Sequence, residues 1–262
     1  MTLEEFSNEF DILYNNIMSN AAPGLTEYEK SVFLTKAQSE IIRAYFSNKG
    51  NKFQEGFDDS EKRQYDFSNI IITSNLPEIT SEDIIISINK LDRRSKLFSF
   101  PIDYFLSVNE IISDCSKFYS VIPLKHEEYQ RLMLKPYAYP VKRGAWRMFT
   151  NTLTVEIDLP DNKSKETQVP VAEIVGRFSG SINYQLRYVR KPNPIILENL
   201  GEELSIDGVH TKSECELSSE VHSEIIQRAV ELAKAAYIGD LSSQIALGQT
   251  SETNMGIVAQ SR

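Results

Sequence analysis

The residues that could carry chemistry are few and far apart. His126, His210 and His222 are the three histidines, and no two share the spacing by which one helix face presents paired zinc ligands. His126-Glu127-Glu128 has the acids but not the second histidine. Each histidine reads as an exposed or hydrogen-bonded structural side chain. Ser87 and Lys90 satisfy S-x-x-K, yet they sit in a strand-like run without the partner motifs of a serine acyl-enzyme. Gly176 and Gly180 stand four apart between strands, which suits a bend or bulge rather than a phosphate loop. The adjacent acids Asp58-Asp59 and Glu202-Glu203 lie in polar loops, where carboxylates are solvated. Cys115 and Cys215 show no metal-ligand spacing and read as two reduced thiols. No nucleophile has a base to activate it, so the expectation is a protein without enzymatic activity, cofactor or metal.

Contact chemistry is better represented. From Cys115 to Arg147 the chain holds seven Lys/Arg against two Glu, a net of +5, while the whole chain carries −9. Within this stretch Pro136 and Pro140 bracket Tyr137-Ala138-Tyr139, and Lys142-Arg143 leads to the single tryptophan, Trp146, beside Arg147. Trp, Tyr and Arg are the residues that most often carry interfaces. In the preferred reading Trp146 and Phe149 enter the core, while Lys142, Arg143 and Arg147 face solvent or an acidic partner. Contact of the basic residues with a neighbouring subunit is preferred to contact with DNA. A complementary surface exists in the same chain: Glu198 to Glu224 holds eight Asp/Glu against one lysine. The candidate subunit-contact residues are therefore Lys135, Lys142, Arg143 and Arg147 on one side, and Glu198, Glu202, Glu203, Glu214 and Glu216 on the other. Opposite charges in separate places suit head-to-tail association into a ring.

The elements that position these residues follow from periodicity. Thr2 with Glu5, and Thr26 with Glu29, are capping boxes. The first opens a helix with Leu3, Phe6, Phe10, Leu13, Tyr14 and Ile17 on one face, ended by Ala21-Ala22-Pro23-Gly24. The second opens a helix to about Phe46 with Val32, Phe33, Ala37, Ile41 and Tyr45 inward, stopped at Asn48–Gly50. A short connection makes them an antiparallel hairpin. Ile70–Ile72, Ile84–Ile86 and Phe98–Phe100 read as short strands, Asp103–Ile112 as strand or helix, and Phe118–Pro123 as a strand. A turn or two of helix spans His126 to Lys135. Leu153–Ile157, Val169–Val175 and Ile182–Val189 alternate, with Asp161–Ser164 as a hairpin tip. Pro192 and Pro194 break the sheet, and a third helix, about Ser219 to Tyr237, buries Val221, Ile225, Ile226, Ala229, Leu232, Ala233 and Ala236. The fold class is α+β: an N-terminal helical hairpin, a central antiparallel β section (meander, sheet or small barrel) and a C-terminal helix packing back on the hairpin. Regions of 1–64, 65–197, 198–240 and a polar flexible tail of 241–262 result. A pI near 5.0 argues against general nucleic-acid coating, no apolar run reaches membrane-span length, and the acidic N-terminus is not a secretory signal.

Three pieces, in this order and spacing, are similar to a known family: APGLTEYEKSVFLTKAQSEIIRAYF, VIPLKHEEYQRLMLKPYAYPVKRGAWRMF, and YVRKPNPIILENL with CELSSEVHSEIIQRAVELAKAAY. From Ala21 to about Tyr237 the chain resembles the virion ring and head-to-tail connector proteins of crAss-like tailed bacteriophages. The resemblance implies a structural subunit, made in the host cytoplasm, in a homo-oligomeric ring matching the portal's symmetry at the head–tail junction. Portal protein and neighbouring tail proteins are the implied partners, with packaged DNA in the lumen and no membrane. A tail-tube or tail-completion subunit is the first alternative, and a phage DNA-binding protein the second.

Overall fold

The computed structural model describes residues 1–18, 24–46, 61–80, 90, 92, 94–114, 117–135, 140, 143–158, 164–178, 180–201 and 203–238. Several expectations fall outside these residues: the helix-ending turns at 19–23 and 47–50, Asp58-Asp59, the run Ile84–Ile86, the hairpin tip 161–163, and the tail 241–262. The chain divides into two compact units, Met1–Ile70 with residues from Pro192 onward, and Ile71–Lys191. The second is therefore inserted into the first.

The discontinuous unit is helical. α1 (Leu3–Met18) and α2 (Glu27–Phe46) both open on the expected capping boxes. Thr2 N–H donates to Glu5 at 2.8 Å while Glu5 N–H donates back to the Thr2 hydroxyl at 3.3 Å, and Thr26 and Glu29 repeat the exchange at the same distances. Each pair satisfies two of the four N–H groups a helix start leaves open. α3 (Glu61–Asp66) is one short turn, and α5 (Ser219–Ile238) closes the unit. α5 packs against both α1 and α2, and the hairpin helices are joined largely through it. They touch each other where Lys30 of α2 reaches Asp11 at 2.6 Å and the Ser7 hydroxyl at 3.1 Å on α1.

Two faces are rotated from expectation. On α2, Val32 is exposed and Phe33 half-buried; the inward row is Lys30, Ser31, Leu34, Ala37, Gln38, Ile41, Ile42 and Tyr45. On α5, Ala235 is buried and Ala236 exposed. The cause on α2 is an extended segment that belongs to neither sheet nor helix. Thr35 donates its hydroxyl to the Ile195 carbonyl and accepts from the Ile195 N–H, and the Ser31 hydroxyl accepts from the Leu197 N–H at 3.0 Å. Alternate residues of an extended chain rise about 6.6 Å, and residues four apart on a helix rise about 6 Å. Hydroxyls at 31 and 35 thus match the backbone at 197 and 195. The intervening Ile196 exchanges both backbone bonds with Ser213. Ser31 and Thr35 turn toward this segment because its buried backbone needs partners.

The inserted unit is one seven-stranded sheet in the order β1-β7-β3-β4-β5-β6-β2, with β1 (Ile71–Leu76), β2 (Lys96–Ser99), β3 (Tyr104–Asp114), β4 (Lys117–Pro123), β5 (Gly144–Asp158), β6 (Ser164–Gly176) and β7 (Asn183–Arg190). Asp103–Ile112, open between helix and strand, is strand. The sheet curls until its ends meet: just past β1, Glu78 bridges Phe98 on β2, and Ile79 N–H donates to the Leu97 carbonyl at 2.8 Å. The enclosed core draws on all seven strands, including Leu76, Phe98, Ile112, Tyr119, Ile174 and Tyr184. Six neighbouring strand pairs include one that is parallel, β4 with β5. A parallel return needs a long crossover, and residues 124–143 supply it, with α4 (His126–Met133) inside. α4 lies on the outer face, where Tyr129 meets Trp146 edge-on at 6.3 Å and both pack with Met148 and Val175. Trp146 is buried as expected, whereas Phe149 keeps 38% of its surface exposed. At Gly176 the packing is close: a Cβ there would collide with the Phe178 ring, which itself stands edge-on to Tyr119.

Candidate functional site

The histidines are spent on backbone. His126 Nε2 lies 2.9 Å from the Phe149 carbonyl, His210 Nδ1 2.8 Å from that of Leu204, and His222 Nε2 3.0 Å from that of Leu217. A carbonyl only accepts, so each of these ring nitrogens carries the proton. Burial holds the His222 pKa below its ordinary value. Ser87 lies outside the described residues, and Lys90 donates to the Ser95 carbonyl at 3.0 Å. Cys115 is also outside. Cys215 is free, with burial pushing its thiol up to about 11, far from a reactive thiolate. Among the described residues no three His, Cys, Asp or Glu side chains converge to hold a metal ion.

The basic candidates separate. Lys135, just past α4, and Arg143, just before β5, are exposed, and Lys142 lies outside the described residues. Arg147 departs from the subunit-contact candidates, because the acidic partner it meets lies within its own chain. It shares the interior-facing side of β5 with Ala145, and its Nε is 2.9 Å from Glu110 Oε2 on β3, both side chains 7% exposed. That Nε is close enough for an ion pair but off the line of an N–H···O bond. The Tyr184 hydroxyl donates to the same carboxylate oxygen at 2.6 Å, and the guanidinium stands 4.5 Å from the Phe149 ring centre. Burial first, then the Glu110 charge, raises the Tyr184 pKa far above the ordinary phenol range. Nothing in the sequence distinguished Arg147 from Arg143 except parity: residues 145 and 147 alternate with the outward Trp146.

Near the exposed basic residues lie exposed apolar ones that charge counting did not reveal. Phe118 and Ile122 on β4 are 71% and 48% exposed, and Leu134 at the end of α4 is 85% exposed. Ser120, between the first two, donates its N–H to the Arg143 carbonyl at 2.9 Å. Large apolar side chains held at a surface beside cations are what contact sites present.

The acidic candidates are placed by tight turns. Asp207 and Gly208 both take positive φ, 54° and 83°, and Ile206 and Val209 exchange both backbone bonds across them. That is the primed two-residue turn favoured by Asp-Gly. Glu198, Glu203 and Glu214 are exposed, and Glu202 lies outside the described residues. Glu216 is half-buried and accepts from both the backbone N–H and the side-chain amide of Asn193, at 3.1 and 2.9 Å. The charge division is sharper than the candidate list implied. The inserted unit holds 17 Lys/Arg against 14 Asp/Glu, a net of +3, and the remainder 11 against 23, a net of −12.

These features define an α+β protein whose distinctive parts are surfaces: a closed sheet with a basic, apolar-studded flank, inserted into an acidic helical unit. A family model described as phage tail ring protein 3/4 matches residues 1–244, and the chain belongs to that family, the ring proteins of crAss-like phage tails. It is 47% identical over 261 residues to "Ring protein 4/5" of Bacteroides phage crAss001, covering 96% of this chain and 100% of that protein. It is 32% identical over 241 residues to "Ring protein 3" of the same phage, covering 89% and 95%. Among the described residues no helix is long and apolar enough to cross a membrane.

Proposed function

We propose that this ring protein acts without enzymatic activity as a homo-oligomer at the head–tail junction, matching the portal's symmetry and surrounding the DNA path between the portal protein and neighbouring tail proteins. In this reading the basic flank of one copy, with Lys135, Lys142 and Arg143, faces the acidic turns of the next, with Glu198, Glu202, Glu203 and Glu214. The observation that carries it is the sorting of charge: +3 in one unit and −12 in the other. A closed ring needs two different, complementary faces on every subunit. Exposed charge pairs contribute only about 0–1 kcal/mol each, so they set register and encounter rate, and apolar contacts supply the affinity.

Reversing Lys142 and Arg143 to Glu tests the contact. Incorporation into particles should fall, and high salt should slow assembly of the normal protein. If these residues instead line the lumen against DNA phosphates, the reversed protein will assemble normally and the defect will appear in DNA retention. Normal assembly together with normal retention overturns both. A particle map that places the ring away from the portal overturns the junction assignment alone.

A further inference from the structure

β5 and β6 stay paired far longer than their neighbours allow. Their register runs without a gap from Asn151↔Val171 to Asp158↔Ser164. β4 pairs with β5 only over Gly144–Arg147, and β2 with β6 only over Val171–Ile174. The Pro170 carbonyl, opposite Thr152, still accepts from the Phe100 N–H at 3.0 Å; past that point, among the described residues, the two strands pair only with each other. A bulge between Phe149 and Asn151 marks the departure, and the Asn151 side chain takes the Thr152 N–H at 2.8 Å. Bulges bend a strand and increase its twist. Leu153 roots the ribbon against Leu97, Val171 and Ile79. From Thr152 to Asp158 the ribbon reaches about 23 Å at roughly 3.3 Å per residue. A lone two-stranded ribbon is marginal in water, and its open edges invite a partner. Yet the stretch Thr152-Leu153-Thr154-Val155-Glu156-Ile157 keeps strand-forming residues and has neither Gly nor Pro.

We propose that this ribbon is the projecting half of the contact between copies, and that it seats on the exposed apolar side chains of the next copy's basic stretch, Phe118 and Ile122 of β4 and Leu134 after α4. The occupant follows from three observations. The chain belongs to a ring family, so an identical copy stands beside each subunit. Residues 152–169 hold four Asp/Glu against two Lys, a net of −2, and the receiving stretch Cys115–Arg143, which leaves out the buried Arg147, holds six Lys/Arg against two Glu, a net of +4. A projection and a receiving surface on the same chain give the heterologous contact that closes a ring. The inference rests on the subunit-contact reading above and names its apolar part. It does not depend on where in the tail the ring stands.

The test is photo-cross-linking from the exposed Thr154, replaced by a photoreactive amino acid in the full chain, within assembled particles. The expected product has twice the chain's mass, and its joined peptide comes from Lys117–Lys135. A product linking the ribbon to a different virion protein, or to another segment of this chain, overturns the proposal. In a second arm, residues 155–167 are replaced by Asn-Gly, which restores a two-residue turn between Thr154 and Gln168. The shortened protein should keep its Tm and be incorporated at least tenfold less. Normal incorporation refutes the proposal, and if the shortened chain does not fold, the cross-link decides. Failure of the charge reading is separate: Lys142→Glu/Arg143→Glu particles would then form normally, with the Thr154 cross-link still between copies.

Discussion

The Glu110–Arg147 pair offers the sharpest test of the closed sheet. Arg147→Met keeps most of the side chain's length against Phe149 and removes only the charged head, leaving the Glu110 carboxylate with one remaining partner, the Tyr184 hydroxyl. Removing one member of a buried ion pair costs about 3–5 kcal/mol, because the other charge stays desolvated. Glu110→Leu with Arg147→Met removes that charge, and the residual cost is the orphaned Tyr184 hydroxyl, about 1–3 kcal/mol. Adding Tyr184→Phe should bring stability back to within about 1 kcal/mol of the parent, or above it, as apolar replacements of buried pairs do. Urea unfolding followed by the fluorescence of Trp146, which sits next to Arg147 on β5, reads all three. A single variant costing under about 1 kcal/mol, or a triple variant as unstable as the single, would refute the buried-pair account.

Four further outcomes are expected. Trp146→Ala should cost about 3–5 kcal/mol, and native tryptophan emission should be blue-shifted and resistant to quenching. Thr35→Val strands the backbone of Ile195 and should lower stability by about 1–3 kcal/mol, whereas Val32→Ser, at an exposed site on the same helix, should change it little in the same thermal melts. Burial, with help from Asp103, pushes the Tyr188 hydroxyl up to about 12. A folded value above the unfolded one near 10 means stability present below pH 10 and lost as pH rises from 10 to 12, a slope that Tyr188→Phe should reduce in alkaline titrations. Gly176→Ala forces the Phe178 ring aside and should cost about 1–3 kcal/mol, measured by urea unfolding.

The helix starts were legible because capping is local: Thr2–Glu5 and Thr26–Glu29 need only four residues to be recognised. The alternating strands and the buried Trp146 were legible for the same reason, since period 2 and a lone tryptophan are local signals. What escaped depends on residues far apart in sequence. The inward row of α2 is set by backbone at Ile195 and Leu197, some 160 residues away, so a hydrophobicity count favoured Val32 over Ser31. The parallel pairing of β4 with β5 was implicit in the helix placed between them, but the default for neighbouring strands is antiparallel. Arg147 looked like Arg143 because its partner Glu110 lies on another strand. The Asp207-Gly208 turn carried a readable signal that the acidic composition around it obscured.

The division of the chain has a consequence for synthesis. α1 and α2 are made before the inserted unit, yet the helix that packs against both, and whose His222 meets Phe6, begins only at Ser219, after that whole unit. At about 5–20 residues per second, the interval from Phe46 to Ser219 is roughly 9–35 seconds, during which the apolar faces of α1 and α2 lack that helix. The inserted unit holds all its strand partners within Ile71–Lys191 and can close in that time. Such an order favours a subunit whose sheet is finished before its helical unit, and it makes the first 46 residues the stretch most exposed to chaperones, or to premature association with other nascent copies.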